Sequence, residues 1–164
     1  MIILNNIYKK ILLKEEDLKY IIDKLKSENK TIIFTNGCFD ILHSGHINYL
    51  ARAKELGDIL IVAVNSDASV KRLKGKERPI NNLNDRMFLL ASLCFIDYVT
   101  FFEEDTPNEI IKKIQPNIHV KGGDYKIEEL PEKEIIESYG GKIVILPFIK
   151  GYSTTSLISK MKST

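Results

Sequence analysis

Apolar positions along this chain follow two rhythms. Short apolar runs at Ile32-Ile33-Phe34, Ile59 to Val64, Asp97 to Phe102, Ile118 to Val120 and Ile143 to Leu146 fit strands. The run ILIVAV at 59–64 is apolar throughout, as a strand buried on both faces of a parallel sheet requires. Between these runs the apolar residues recur at helical spacing. Leu18, Ile21, Ile22 and Leu25 mark a helix from Glu15 to Leu25. Ile47, Leu50 and Ala51 mark one from His46 to Leu56, with Arg52, Lys54 and Glu55 off that face and Gly57 as its stop. Met87, Leu90, Ala91 and Cys94 follow Asn84 as cap. Thr106-Pro107-Asn108-Glu109 has the form of a capping box with proline at the first helical position, ahead of Ile110, Ile111 and Ile114. Pro131 opens another helix, which Gly140-Gly141 ends, and Gly151-Tyr152-Ser153-Thr154-Thr155 starts the last. Lys71 to Arg78 fits a loop or short helix, and residues 1–13 an extended arm used in self-association.

Five strand–helix alternations predict an α/β fold: a parallel sheet built by right-handed crossovers, with helices on both faces. At 164 residues the chain fits one domain, able to bury ~70% of its unfolded surface. We place an N-terminal arm at 1–14 and the domain at 15–164. A net charge of +2 gives no electrostatic case for nucleic acid or a membrane. No apolar run approaches the ~18 residues of a membrane span, and the N-terminus lacks a signal-peptide cleavage pattern. Cys38 and Cys94 form neither a disulfide framework nor a metal spacing. These features point to the cytoplasm and to small-molecule partners.

The chemistry concentrates in Thr31 to His46, TIIFTNGCFDILHSGH. A buried strand runs into a glycine-bearing loop and then a helix start, the usual way an α/β fold builds an anion site. His43 and His46 add donors that can carry charge near neutral pH. A zinc site would need a third ligand, and the only other histidine, His119, sits on a predicted buried strand. No metal site is therefore expected. Both the GxGxxG fingerprint and the GxxxxGK[ST] loop are absent. Three further segments complete the candidate pocket. Gly151 to Ser156 offers hydroxyls and amides at a helix start, suited to β- and γ-phosphates. Lys121-Gly122-Gly123-Asp124 permits close backbone approach to a base or ribose. In the basic stretch, Lys74 or Arg78 could meet a phosphate, with Arg86 a further candidate.

The run Asn36-Gly-Cys-Phe-Asp-Ile-Leu-His-Ser-Gly-His46 resembles the HxGH nucleotidyltransferase superfamily, whose enzymes attack the α-phosphate of a nucleoside triphosphate and release pyrophosphate. Together with VNSD, LKGxxRP, DTP, VKGGDY and GxSTT, it resembles the D-glycero-manno-heptose 1-phosphate nucleotidyltransferases, over about residues 15–162. The resemblance implies a Rossmann-like, doubly wound five-stranded sheet of order 3-2-1-4-5, with Asn36–His46 and Lys121–Asp124 on one crevice. It implies transfer of AMP from ATP to the sugar phosphate, Mg²⁺ bound through triphosphate oxygens, and a homodimer. With no sugar-kinase segment, it implies the stand-alone type. A glycerol-3-phosphate cytidylyltransferase would typically show GTFD and an arginine before GISTT, where this chain has Gly37-Cys38-Phe39-Asp40 and Phe148 to Ser153. The same residues would also suit a GTP-using guanylyltransferase or a non-catalytic nucleotide sensor.

The expected catalytic pair is His43 and His46. Around the nucleotide we expect Asn36, Gly37, Cys38, Phe39, Gly45, Lys121, Gly122, Asp124, Gly151, Ser153, Thr154 and Thr155. Toward the sugar phosphate we expect Asp40, Asp67, Lys74, Arg78 and Arg86. Cys38 is expected to pack at the strand end, not to act as a nucleophile, because the reaction needs no covalent intermediate.

Overall fold

The computed structural model describes residues 1–147 and 158. Its five strands are β1 (Ile32–Gly37), β2 (Ile59–Asn65), β3 (Tyr98–Phe102), β4 (Ile118–Gly122) and β5 (Lys142–Leu146). All pair in parallel, in the order β3-β2-β1-β4-β5, as the resemblance implies. Helices α1 (Ile2–Tyr8), α2 (Glu15–Ser27), α3 (Ser44–Lys54), α4 (Asp67–Lys74), α5 (Leu83–Ala91), α6 (Asn108–Ile114) and α7 (Lys133–Ser138) connect or flank them.

Successive strand residues point to opposite faces, which sorts the apolar side chains into two cores. Ile33, Leu60, Val62 and Val64 pack with Leu50 and Ala53 of α3 and Met87 and Leu90 of α5. Ile32, Phe34, Ile61 and Ala63 face the other way, against Leu18, Ile22 and Leu25 of α2 and the isoleucines of α6 and α7. Burial on both faces explains why 59–64 reads as an unbroken apolar run. Gly57 is needed where α3 turns into β2: a Cβ there would lie 2.7 Å from Ile33 Cδ1 and 2.8 Å from Thr31 Cγ2.

Several boundaries differ from the expected ones. α3 starts at Ser44, two residues early, because His43 caps it: its Nδ1 accepts from the His46 amide at 3.3 Å. α5 is capped by Asn82, whose Oδ1 accepts from the Asp85 amide at 3.0 Å; Asn84 lies inside the helix. The capping box at 106–109 does not form. Pro107 takes the cap position of α6 and no side chain caps it. After a 3-10 turn at Ile127–Glu129, α7 begins at Lys133, beyond Pro131. The basic stretch divides into the end of α4 and an exposed loop. The N-terminal segment is extended only after α1. There Leu12 N–H donates to Val99 O and Val99 N–H to Lys10 O, both at 2.8 Å, along the outer side of β3.

The strand order leaves one opening. β1 pairs with β2 as far as Gly37–Val64, and β4 with β5 as far as Gly122–Leu146. β1 pairs with β4 only at Ile33–Ile118 and Phe34–His119. The chain connections reverse direction here, and the carboxyl ends of β1 and β4 flank a crevice.

Candidate active site

The crevice is a cleft of about 710 Å³. Its β1 wall is Asn36, Gly37, Cys38 and Phe39; its β4 wall is Lys121 and Gly122. Lys74 reaches it from α4, and Tyr125, Glu129 and Glu132 from the segment after β4. The loop leaving β1 is tight. Phe39 adopts φ +47°, and a Cβ on Gly37 would lie 3.1 Å from the Phe39 ring. The Phe39 ring meets His46 edge-on at 5.4 Å, linking the cleft wall to the histidine pair.

His43 and His46 stack with ring centroids 3.8 Å apart and planes 19° apart. Burial pushes His46 down to about 4, and the neighbouring His43 adds to this. Burial also lowers His43. Both imidazoles are thus neutral at pH 7. The cap requires a lone pair on His43 Nδ1, so the proton sits on Nε2. The Nδ1 of His46 is buried, with no hydrogen-bond partner among the described residues. Two stacked imidazoles resist holding charge together; an anion beside them would relieve that.

On the β4 side, Lys121 Nζ lies 2.5 Å from Glu132 Oε1. His119 Nε2 is 4.0 Å from the same oxygen. His119 is fully buried, edge-on to Phe34, and burial together with the Lys121 charge pushes it down to about 3. It is a neutral strand residue, as its flanking apolar neighbours suggest.

Asp40 and Arg86 are each held by protein partners, and neither is among the residues lining the cleft. Asp40 is buried, accepts from the Ile80 and Asn81 amides at 2.7 and 2.9 Å, and pairs with Arg78 at 2.5 Å. Burial alone would raise its carboxyl, but the two amides and Arg78 hold it below the usual range. Arg86, fully buried, donates to Cys38 O at 2.6 Å, Asn81 O at 3.0 Å and Asp67 Oδ1 at 2.7 Å. The carboxylate of Asp40 and the guanidinium of Arg86 therefore fasten the β1 loop to the loop before α5. Burial pushes the Cys38 thiol up, against the pull of Lys74, Arg86 and Arg78. A protonated thiol at a strand end suits packing.

Of the expected residues, Asn36, Gly37, Cys38, Phe39, Lys74, Lys121 and Gly122 line the cleft. His46 stands beside it through Phe39 and His43 through His46, Gly45 lies between them in α3, and Asp124 lies exposed past the end of β4. Gly151, Ser153, Thr154 and Thr155 lie outside the described residues, as does the helix expected there apart from Ile158. Tyr49, Asn65 and Glu132 also border the cleft and are not among the expected residues. Tyr49 could have been found from its place three residues after His46, on the same helix face. Asn65 closes the β2 run, whereas nothing in the sequence marks Glu132.

Among the described residues no helix is long and apolar enough to cross a membrane. The sequence matches the model of a family described as cytidylyltransferase-like over residues 34–160. It is 55% identical over 148 residues to bifunctional protein HldE of a Nitratiruptor species, covering 90% of this chain and 31% of that protein. With bifunctional protein HldE of Actinobacillus pleuropneumoniae it shares 51% over 153 residues, 93% of this chain and 32% of the other. The chain thus spans about a third of the length of these relatives. Among solved structures, a lipopolysaccharide core biosynthesis protein from Thermoplasma volcanium is similar at TM-score 0.60 and 33% identity, covering 76% of this chain and 99% of that one. Pantoate-beta-alanine ligase from Francisella tularensis has TM-score 0.57 at 16% identity, covers 93% of this chain and 76% of its own, and shares the fold alone.

Proposed function

The chain belongs to the cytidylyltransferase-like family, and from that membership we propose that it transfers AMP from ATP to D-glycero-manno-heptose 1-phosphate. The products are ADP-heptose and pyrophosphate. Its similarity to the HldE proteins and to a lipopolysaccharide core biosynthesis protein supports a precursor of surface glycans.

The observation that carries the reading is the stacked, neutral pair His43 and His46 beside the crevice between β1 and β4. A phosphate oxygen of the sugar phosphate attacks the α-phosphorus in line. The new P–O bond forms as the bond to the β-phosphate oxygen breaks, and pyrophosphate leaves. Negative charge grows on the α-phosphate oxygens and the leaving group. Donors already in place there stabilise the transition state more than the ground state. His43 presents Nε2–H because its Nδ1 is engaged in the cap. His46, costly to charge in the free protein, gains most from the arriving anion. Asn36, Gly37, Phe39, Lys121 and Gly122 hold the base and ribose. Gly151, Ser153, Thr154 and Thr155 enter the proposal on sequence, as the grip on the triphosphate tail. Lys74 and Arg78 are assigned to the sugar phosphate, with Asp40, Asp67 and Arg86 holding their surroundings.

Among the described residues no group of three or more His, Cys, Asp or Glu is arranged to hold a metal ion. The donor set fits Mg²⁺ carried on the triphosphate oxygens, where it keeps several waters and offsets phosphate charge. The test is pyrophosphate release from ATP, GTP, CTP and UTP against both anomers of heptose 1-phosphate and glycerol 3-phosphate. Release with ATP and one heptose anomer is expected. Release only with CTP and glycerol 3-phosphate would move the chain to the other branch, and nucleotide binding without release would make it a sensor.

A further inference from the structure

Tyr49 lies three residues after His46, so both extend from one face of α3. Tyr49 is 9% exposed and borders the cleft. Its hydroxyl donates to the Val120 carbonyl at 2.9 Å and lies 2.7 Å from Thr35 Oγ1. A phenol has one proton, so Thr35 is the donor in the second bond. Thr35 and Val120 are the first residues of β1 and β4 beyond the last paired positions, Phe34 and His119. The phenol therefore bridges the strands where their own ladder stops. Val120 immediately precedes Lys121 and Gly122, the β4 wall of the cleft.

We infer that Tyr49 is a positioning residue: it ties the helix carrying His46 to the strand that holds the nucleotide, and so sets the distance from histidine to α-phosphate. The tie matters because the paired register of β1 and β4 ends at Phe34 and His119, one residue short of the phenol's two partners. In-line transfer needs the reacting atoms ~3–3.5 Å apart, and a shift of ~1 Å can cost up to ~10² in rate. Thr35 lies on β1, so its bond to Tyr49 does not tie α3 to β4. Loss of the Tyr49–Val120 bond should therefore affect chemistry, while loss of the Thr35 bond alone should not.

This inference uses the adenylyltransferase reading for its kinetic test and the hydrogen bonds alone for its geometry. The experiment compares wild type, Tyr49→Phe and Thr35→Val in pyrophosphate release with ATP, Mg²⁺ and heptose 1-phosphate, and in amide hydrogen exchange over 119–123. Tyr49→Phe keeps the ring and its packing. Its kcat should fall ~10- to 100-fold with both KM values nearly unchanged, and exchange over 119–123 should quicken. Thr35→Val should keep the wild-type kcat and exchange. Unchanged kcat in Tyr49→Phe, or equal losses in both variants, would overturn the inference. If wild type itself releases no pyrophosphate, the functional reading falls and exchange decides: faster exchange in Tyr49→Phe than in Thr35→Val sustains the tie, and equal exchange removes it.

Discussion

Lys121 Nζ lies 2.5 Å from Glu132 Oε1, with the lysine side chain 18% exposed and the glutamate 1%. A buried carboxylate held by one cation makes the two residues a unit. Removing the cation alone leaves a charge in the interior, at a cost of about 3–5 kcal/mol. Lys121→Met should lose about that much stability in urea unfolding, and Lys121→Met with Glu132→Leu should recover most of it. Equal losses in the single and double variants would show that the pair is not a unit.

His46→Ala should lower turnover by ~10²–10³ while leaving the thermal midpoint close to wild type. Among the described residues the ring's buried Nδ1 has no hydrogen-bond partner to lose, although the contacts with Phe39 and His43 go. Steady-state kinetics and a melting curve on the same preparation test this. A variant that unfolds, or one that turns over normally, contradicts it.

Acid should weaken the free protein well above the carboxylate range. His46 and His119 have ordinary values of 6.5 and sit at about 4 and about 3 in the fold. Between those values the unfolded chain binds more protons than the native one, so stability rises with pH. The contribution is complete above pH 6.5 and is lost as pH falls toward 4 and 3, at up to ~1.4 kcal/mol per pH unit for each group. Asp40 has the depressed carboxyl pattern and adds to the loss only below its ordinary 3.8. Urea midpoints at pH 7.5, 6, 5 and 4 should fall in order, and His119→Leu should flatten the trend. A midpoint constant from 7.5 to 5 would be incompatible with buried neutral histidines.

Gly37→Ala should weaken nucleotide binding with little effect on stability. Its Cβ would stand 3.1 and 3.2 Å from two carbons of the Phe39 ring, which can move. That ring lines the cleft and touches His46, so its displacement reaches both the β1 wall and the histidine pair. Calorimetric titration with ATP and Mg²⁺ reads the effect. Unaltered affinity would mean that the ring has room to yield.

Regular periodicity carried most of the architecture. Burial on both faces wrote β2 into the chain as ILIVAV, and helical spacing marked α2, α3 and α6. Local capping was harder to read, because it depends on which side chain reaches an amide. His43 is an unusual cap residue, and Asn82 and Asn84 look alike until the backbone direction is known. The histidine pair and both cleft walls were legible, since their residue types are rare in combination. Asp40 and Arg86 were legible as polar residues near the site, but not as internal fasteners. That role depends on partners 41 and 48 positions away in the chain. Glu132 was invisible for the same reason: its meaning lies in Lys121, across a turn and a helix start.

The segment at 10–12 has a consequence for solubility. β3 ends the sheet, and an uncovered end strand is a template for another molecule's strand. Val99 gives its N–H to Lys10 and its carbonyl to Leu12, so three residues are enough to occupy the middle of that edge. Thr100 Oγ1 adds a bond to Leu12 O at 3.0 Å, and α1 then carries the chain over α5. The apolar N-terminus thus guards the sheet against indiscriminate growth, and a chain lacking residues 1–13 would expose β3 to strand addition and aggregation.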